Sequence, residues 1–323
     1  MVPGSRTAHR ETGYVVKLVI AGGTGSLGRR VADHFSAEGA DVVVLTRTPR
    51  TAFPHRQVVW DGRTRGAWAD ELDGSVLLNL AGELVDRRPT ASNIELLTRS
   101  RVEPTTALVD AATAGSTPSL WLQMSTLAIY GDAGDELIDD RHEPASGPPQ
   151  MAGVATAWEA AAAHAKADRV AILRTGIVLD RDTPALDRLT KLTRFGLGGR
   201  ISTGEQWISW IHIEDFLRTL EFVIGHDAPE GTMHVTSPNP IRNRDMMAAL
   251  RRALHRPWSP PTPKPLVHLG ARLMRTDPAL ALTGRRCVPN RLLEAGFAFA
   301  HPTFAEALTD LVNRPRRPQG ARP

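Results

Sequence analysis

Apolar residues in the first 180 positions come in short runs, and longer stretches with helical spacing separate these runs. The runs are rich in Val, Ile and Leu, which is typical of strands buried on both faces of a sheet. They predict strands at Lys17–Ile20, Val42–Leu45, Val58–Trp60, Val76–Leu80, Leu120–Met124 and Val170–Leu173. The stretches between them predict helices at Leu27–Ala37, Ile94–Ala114 and Ala152–Ala165. This alternation indicates an α/β fold with a doubly wound parallel sheet.

The pattern changes after about residue 180. Helices are predicted at Leu186–Phe195, Ile213–Val223 and Asp245–Leu254, with a strand at Met233–Thr236 and a proline-rich run at Pro257–Pro265. We interpret residues 181–313 as a smaller C-terminal lobe on the substrate side, whose segments return to the main sheet and form no separate domain. Residues 1–14 are a polar leader and residues 314–323 a basic tail, and we expect both to be disordered.

The first predicted strand runs directly into a glycine-rich turn that precedes the first helix. Gly22 permits the sharp turn, Gly25 lets the backbone approach a pyrophosphate, and Gly28 lets the helix pack closely on the strand. The N–H groups and the positive dipole end of the helix then face the anion. The alternative is a βα turn that binds no ligand. The pattern favours a dinucleotide site in a Rossmann core at residues 15–180, with contacts from Gly22, Thr24, Gly25, Ser26, Leu27 and Gly28.

The residue type at the end of the second strand separates NAD binding from NADP binding. An Asp or Glu there accepts hydrogen bonds from a free ribose hydroxyl, whereas an Arg pairs with a 2′-phosphate. Here Thr46 and Arg47 follow Val42–Leu45, and no carboxylate is present. We therefore expect NADP(H), with Arg47 at the phosphate and a hydroxyl from Thr46 or Thr48. The alternative is an arginine that is simply exposed after a strand.

Composition narrows the function mainly by exclusion. The 323-residue chain is 41% hydrophobic and 23% charged, with a formal net charge of +4. It has no apolar run of about 18 residues, so we expect no membrane span. Its single cysteine, Cys287, excludes an internal disulfide and a Cys-rich metal site, and no metal site is expected. No basic and aromatic pattern indicates nucleic-acid binding. These features fit a cytoplasmic enzyme.

Several motifs follow one another along the chain in a family-specific order. They are Asn79-Leu-Ala-Gly-Glu83, Ser100-Arg-Val-Glu-Pro-Thr105, Ser125 to Asp132, Trp158-Glu159, Leu173 to Leu179, Gly204 to Asp215 and Pro289 to Phe297. In these motifs the chain resembles the extended short-chain dehydrogenase/reductase superfamily. Within the NAD-dependent epimerase/dehydratase proteins, it looks like the atypical YfcH-like epimerase-family branch. The resemblance runs from about Val16 to about Leu311 and includes the short C-terminal module of that branch, at about residues 257–311.

The resemblance implies an NADP-binding Rossmann core with further cofactor contacts. Asp61 lies where short-chain dehydrogenases place an Asp beside the adenine. The turn Leu80, Ala81 and Gly82 lies where a small-residue turn passes under the cofactor. Position by position, the family pattern also implies contacts from Thr46, Arg47, Arg101, Ser125 and Val178.

The usual catalytic dyad of the superfamily is absent. A typical member uses a Tyr as proton donor, a Lys four residues later, and a Ser or Thr that binds the carbonyl oxygen. The hydroxyl position corresponds to Thr126, but Met151 and Ala155 stand where the Tyr and Lys would fall. Neither tyrosine of the chain, Tyr14 or Tyr130, is followed by a lysine at that spacing.

Three residues are candidates for the missing chemistry, each with a structural alternative. Tyr130 borders the expected nicotinamide position, but it also suits packing with its phenol bonded to backbone. Thr126 is suited either to orienting a substrate carbonyl or to capping the strand end. His212 has a side chain suited to proton transfer near neutral pH, yet a His between isoleucines is typical of a structural residue. Trp207 and Trp210 suit either an apolar wall over the substrate or the core.

These observations favour an NADP(H)-dependent oxidoreductase that acts on an unknown small metabolite. Two alternatives stay open. One is a non-catalytic NADP(H)-binding sensor or regulatory protein, which the missing dyad favours. The other is a nucleotide-sugar epimerase or dehydratase, which the family name suggests. Extended relatives often dimerise through the helices that correspond to Ile94–Ala114 and Ala152–Ala165, so the resemblance also implies a homodimer.

Overall fold

The computed structural model describes residues 15–181, 183–225, 229–256 and 258–313. The predicted leader, residues 1–14, and the predicted tail, residues 314–323, lie outside the described residues. Within the described ranges, none of the helices is long and apolar enough to cross a membrane.

Strands and helices occur where the hydrophobic pattern predicts them, with small differences in their boundaries. The strands are β1 (Lys17–Ala21), β2 (Asp41–Thr46), β3 (Arg56–Val59), β4 (Val76–Asn79), β5 (Leu120–Thr126), β6 (Leu137–Ile138), β7 (Arg169–Thr175), β8 (Ile177–Leu179), β9 (Trp207–Ile208), β10 (Trp210–His212), β11 (Gly231–Val235), β12 (Ile241–Arg242) and β13 (Arg286–Cys287). The helices are α1 (Ser26–Ala37), α2 (Ala91–Thr113), α3 (Val154–Ala161), α4 (Pro184–Arg194), α5 (Ile213–Ile224), α6 (Asn243–Ala253), α7 (Lys264–Met274), α8 (Ala279–Leu282), α9 (Asn290–Glu294) and α10 (Phe304–Asn313).

Seven strands form one parallel sheet in the order β11-β7-β5-β4-β1-β2-β3. The strand order reverses between β1 and β4, and ligands of such sheets bind outside the carboxyl ends of the strands at this point. The last strand, β11, comes from the second half of the chain and pairs with β7, so that Val235 lies beside Thr175. The predicted Rossmann-type α/β fold is therefore confirmed, and the second half does return to the main sheet.

Alternate residues of the central strands face two different cores. Leu18 and Ile20 of β1 belong to a core that includes residues of α1 and α5, whereas Val19 and Ala21 belong to one that includes residues of α2. All four side chains are almost fully buried. Apolar residues at consecutive positions are needed because the sheet is covered on both faces.

The helix predicted at Ala152–Ala165 is shorter than expected. A wide π-type turn, Pro149–Gly153, precedes α3, and α3 ends at Ala161. Helix propensity is a weak local preference, and here the chain must turn back to enter β7 at Arg169. The wide turn matters for the site, because it positions Met151.

The C-terminal lobe has its own small core around Trp210. The Trp210 side chain is fully buried, and its ring meets the ring of Phe304 edge to face at a centroid distance of 5.3 Å. Apolar residues of α4, α6 and α10 complete this core. Trp210 is therefore a core residue, the second of the two roles expected from the sequence.

Candidate functional site

The glycine-rich turn between β1 and α1 has no room for a side chain at Gly22, Gly23 or Gly28. Gly22 has a φ of +81°, and a Cβ at this position would lie 2.8 Å from the carbonyl oxygen of Leu80. A Cβ on Gly28 would lie 2.6 Å from the Cα of Gly23. Helix α1 begins at Ser26 without a side-chain cap, so its first N–H groups are available to an anion. The remaining predicted turn residues are half-buried or exposed: Thr24, Gly25, Ser26 and Leu27.

The end of β2 presents an exposed positive charge. The hydroxyl of Thr46 donates to the carbonyl oxygen of Thr48 at 3.1 Å, and it accepts from the N–H of Thr48 at 3.3 Å. Thr46 therefore shapes the loop from a buried position. Arg47 is exposed, and no carboxylate of the described residues pairs with it. Its guanidinium is available to a phosphate.

The carboxylate of Asp61 holds a tight turn after β3. Oδ2 accepts from the Thr64 hydroxyl at 2.6 Å, and Oδ1 accepts from the N–H groups of Thr64 at 2.9 Å and Arg63 at 2.8 Å. These hydrogen bonds, led by that of the Thr64 hydroxyl, lower the pKa of Asp61 to about 2. The family pattern placed this carboxylate beside an adenine, whereas the structure gives it a local role in the turn.

The turn Leu80–Gly82, which follows β4, connects the glycine-rich turn to Arg101. Gly22 packs against the backbone of Leu80 on one side. On the other side, a Cβ at Gly82 would lie 3.0 Å from Cγ of Arg101. The predicted cofactor residues of β1 and β4 are therefore contiguous with Arg101.

Arg101 is a buried arginine on α2, with 9% of its surface exposed. Its guanidinium donates to the carbonyl oxygens of Leu97 at 3.0 Å and Glu83 at 2.9 Å, and it lies over the ring of Trp158, 5.2 Å from the centroid. Burial lowers the pKa of Arg101 to about 10, and the charge of Glu83 offsets this only in part. No carboxylate within the described ranges forms an ion pair with Arg101.

A cavity of about 240 Å³ lies beside Arg101. The carboxyl ends of β5 and β7 contribute Thr126 and Thr175, which are paired in the register of the sheet. Apolar side chains form much of the lining: Leu97, Leu127, Met151, Val154, Trp158, Ile177 and Trp207. Other lining residues are polar or charged: Arg87, Arg88, Arg101, Gln150, Ser209, Asp277, Thr283 and Arg285. This mixture suits a small ligand with a few polar groups.

Thr126 places a hydroxyl in the cavity wall. Its Oγ1 accepts from the N–H of Ala128 at 3.1 Å and so caps the end of β5. A hydroxyl also has one proton to donate, and no residue in the described part of the chain accepts it. Thr126 is therefore a strand-end cap that keeps a donor for a ligand.

Met151 and Ala155 line the cavity at the positions where the superfamily pattern places its Tyr and Lys. The cavity lining, as far as the structure describes the chain, contains no Tyr, Lys, His or Cys. Its one carboxylate belongs to Asp277, which is almost fully buried. Oδ2 of Asp277 accepts from the Gln150 amide at 3.2 Å, and Oδ1 accepts from the N–H of Ala279 at 2.8 Å.

Tyr130 lies in a buried polar network and is not a lining residue of the cavity. Its hydroxyl is 2.7 Å from Nε2 of His234, and it accepts from Arg174 at 2.7 Å. Arg174 also pairs with both carboxylate oxygens of Glu159, one of which accepts from the hydroxyl of Ser125. Burial raises the pKa of Tyr130 to about 12. The geometry favours the packing interpretation of Tyr130. The Ser125 hydroxyl is already hydrogen-bonded to Glu159 within the protein.

His212 is fully buried at the start of α5 and is also outside the cavity lining. Its Nδ1 accepts from the N–H of Glu214 at 3.2 Å, and its Nε2 is 3.1 Å from the Asp310 carboxylate. Its ring lies against His301, with centroids 3.9 Å apart. Potential metal-ligand atoms of His212, Glu214 and His301 lie within 4.8 Å of one another, but both ring nitrogens of His212 already face protein groups. This favours the structural interpretation of His212.

Three further residues have distinct surroundings. Trp207 lines the cavity and donates its ring N–H to Asp135 at 2.7 Å, so it belongs to the apolar wall that the sequence offered as one alternative. Val178 is half-buried in β8, where it pairs with Ile211. Cys287 is buried, and burial raises the pKa of its thiol to about 12, so it is not a reactive thiolate.

Several polar lining residues were not predicted from the sequence: Arg87, Arg88, Gln150, Asp277 and Arg285. They come from segments far apart in the chain, and none of them lies in a recognisable motif. The one local signal is at Asp277, which precedes a short helix and whose Oδ1 accepts from Ala279, as helix-capping residues do.

Comparison with known proteins places the chain among epimerase-family proteins. Epimerase family protein ML0860 of Mycobacterium leprae is 33% identical over 302 residues, which cover 92% of this chain and 96% of that protein. A crystal structure of human epimerase family protein SDR39U1 (isoform 2) with NADPH has a TM-score of 0.81 and 26% identity, over 92% of this chain and 99% of that one. The Domain of unknown function DUF1731 matches residues 262–311, which confirms the expected C-terminal module. The family model described as NAD dependent epimerase/dehydratase family matches residues 18–235, and the chain belongs to this family.

Proposed function

We propose that this protein is an NADP(H)-dependent oxidoreductase that acts on a small metabolite. The observation that carries the proposal is the continuity of the glycine-rich turn, the turn Leu80–Gly82 and the cavity beside Arg101. All three lie at the carboxyl ends of parallel strands around the switch point between β1 and β4, where ligands of doubly wound sheets bind.

The residues of this edge fit a dinucleotide. The turn Gly22–Gly28 leaves a cradle that side chains would fill, and the uncapped start of α1 offers N–H donors. Arg47 supports NADP(H) over NAD(H), because no carboxylate among the described residues pairs with its guanidinium, which matches a 2′-phosphate, and no carboxylate follows β2 in the sequence. The human relative was crystallised with NADPH, which agrees with this choice. When bound, the nicotinamide supplies or accepts a hydride.

The cavity residues have simple roles in the proposed reaction. Thr126 donates its hydroxyl proton in a hydrogen bond to a substrate oxygen, and so holds a carbonyl in place. Met151 and Ala155 move no proton, so the proton for the reduced oxygen comes from water. A nucleotide-sugar epimerase or dehydratase mechanism is less well supported, because it relies on the missing Tyr and Lys.

The cofactor part of the proposal is tested by titrating NADPH and NADH against wild type, Arg47→Ala and Arg50→Ala, with tryptophan fluorescence as the readout. Arg50 is the matched control, since it is exposed in the same loop. We expect NADPH to bind about tenfold tighter than NADH, a difference of about 1.4 kcal/mol, and Arg47→Ala alone to remove this preference. Equal affinities in wild type, or no binding of either nucleotide, contradict the proposal.

The catalytic part is tested by NADPH oxidation with a panel of small ketones, aldehydes and enones. Turnover of any of them supports the oxidoreductase. Tight NADPH binding without turnover, together with a protein captured only in the presence of NADPH, supports the sensor instead. The homodimer through α2 and α3 stays a prediction.

A further inference from the structure

The charges that line the cavity are unbalanced. Four lining residues are arginines, and they stand against one carboxylate, that of Asp277: Arg87, Arg88, Arg101 and Arg285. Asp277 does not neutralise any of them, because its hydrogen bonds come from the Gln150 amide and the Ala279 N–H. Arg87 pairs with Glu83 at 2.9 Å, and Arg88 donates to the carbonyl oxygen of Arg272 at 2.6 Å. Arg88 is exposed, so water solvates its charge, and the uncompensated charge therefore centres on Arg101 and Arg285.

Arg285 is half-buried and lines the same cavity as Arg101, although it comes from the C-terminal module. Its carbonyl oxygen accepts from the Ser209 hydroxyl at 2.9 Å, and its backbone N–H donates to Trp207 at 3.1 Å. Its guanidinium has one long hydrogen bond, to the Thr283 hydroxyl at 3.5 Å. Burial lowers the pKa of Arg285, and no carboxylate of the described residues forms an ion pair with it.

A buried guanidinium, that of Arg101, and a half-buried one, that of Arg285, face one cavity and are costly without an anion. Burial of a charge is unfavourable unless it is paired and hydrogen-bonded. Carbonyl oxygens and a ring face satisfy part of Arg101, but they contribute no negative charge. The planar fork of an arginine matches the two oxygens of a carboxylate or the oxygens of a phosphate. A bound ligand is therefore expected to supply the missing negative charge.

We propose that the substrate of this cavity is a small organic oxyanion, with its negative group held by Arg101 and Arg285 and its apolar part against Trp158, Leu127 and Met151. This inference deepens the proposed function, because it takes the cavity as the substrate site. The cavity volume of about 240 Å³ suits a small molecule. The other source of an oxyanion is the cofactor itself, since Arg101 touches Gly82. Arg285 bonds to no predicted cofactor residue, which favours the substrate.

The test is calorimetric titration of the apoprotein with butanoate, hexanoate and octanoate, each beside its uncharged amide. We expect at least one carboxylate to bind about tenfold more tightly than its amide. Arg285→Met removes the charge but keeps much of the volume, and it should lose about tenfold or more in carboxylate affinity. Arg286→Met is the matched control, because Arg286 packs on Trp207 but does not line the cavity, and it should bind as wild type does.

Arg101→Met and Arg101→Lys extend the test to the second guanidinium. Arg101→Met should lose carboxylate affinity, and Arg101→Lys should keep part of it. Where Arg101→Met does not fold, as judged by circular dichroism, Arg285→Met and Arg101→Lys decide the result. Equal binding of acids and amides, no binding of any carboxylate, or unchanged affinity in Arg285→Met overturns the proposal.

Repeating the titration with saturating NADPH separates the two sources of the anion. Carboxylate binding that persists or tightens supports the substrate site. Binding that NADPH abolishes assigns the arginines to the phosphates of the cofactor and overturns the proposal. A carboxylate that binds to a protein with no affinity for NADPH leaves this inference standing, while the proposed cofactor dependence fails.

Discussion

The glycine-rich turn and the cavity are joined through Arg101, but they are built in opposite ways. The turn is one contiguous segment, Gly22–Gly28, and its shape depends on backbone contacts. The cavity collects side chains from positions as far apart as Arg87 and Arg285. A site made from consecutive backbone groups leaves a pattern in the sequence, whereas a site made from distant side chains does not.

The two regions also differ in what supports them. The ends of β5 and β7, which contribute to the cavity, are backed by the buried network of Tyr130, Arg174 and Glu159. His234 completes this network. Its Nδ1 is 3.0 Å from the carbonyl oxygen of Val288, which only accepts, so the neutral ring carries its proton on Nδ1 and Nε2 accepts from Tyr130. Burial, with a smaller contribution from the Arg174 charge, lowers the pKa of His234 to about 4.

The largest effect that we predict is a loss of stability at acidic pH through His234. Its folded-state pKa is about 4, below the ordinary value of 6.5, so only the unfolded state binds the proton between these values. Stability contributed by neutral His234 is complete above about pH 6.5 and falls by about 3 kcal/mol as the pH drops to about 4. Denaturant unfolding across this range should show that His234→Gln lacks this part of the pH dependence.

The control for this measurement is His268→Gln, which alters an exposed histidine on α7. It should follow the wild-type pH dependence. If His234→Gln loses stability on acidification as steeply as wild type does, the assignment of a neutral, buried His234 is wrong.

A smaller but more local effect is expected from Gly28→Ala. The added Cβ would lie 2.6 Å from the Cα of Gly23 and 2.8 Å from the carbonyl oxygen of Gly22, and neither backbone atom can move without distorting the turn. We expect the affinity for NADPH to fall by about a hundredfold, roughly 2.7 kcal/mol, while carboxylate binding in the cavity changes little. Fluorescence titration measures the first effect and calorimetry the second.

Gly270→Ala is the matched control for Gly28→Ala. Gly270 lies within α7, and a Cβ there would meet nothing within 4 Å. Because Ala is the better helix former, this change should stabilise the protein by about 0.5–1 kcal/mol and leave both ligands bound. Unchanged NADPH affinity in Gly28→Ala would show that the turn is not the pyrophosphate site.

The success of prediction from the sequence differs in the same way between contiguous segments and sites built from distant residues. The parallel sheet and the helices on its two faces were predicted because buried strands and amphipathic helices leave periodic patterns, and the family was predicted from its resemblance in ordered motifs. The replacement of the dyad by Met151 and Ala155 was also predicted, and both residues do line the cavity. These features depend on the spacing of residues that lie near one another in the chain.

The roles of individual polar side chains were much harder to predict. Tyr130 and His212 have suitable chemistry, but the fold places both in buried networks, and the isoleucines that flank His212 were the one sequence signal of this. Arg285 was not predicted as a site residue. It stands beside Arg286 and Cys287 in the sequence, and the C-terminal module brings it to the cavity wall. Only the tertiary structure determines which charges become buried.

The smallest effect that we predict concerns Asp61, and it tests whether a family position keeps its role. Asp61→Asn preserves Oδ1, which accepts from the N–H groups of Arg63 and Thr64, and the new amide still reaches the Thr64 hydroxyl. The turn should therefore persist, and the affinity for NADPH should change by less than about twofold. A loss of about tenfold in the same titration would mean that the carboxylate contacts the nucleotide as well as the turn. The end of β3 would then be a second cofactor-binding position, beside that of Arg47 at the end of β2, that the sequence alone identifies.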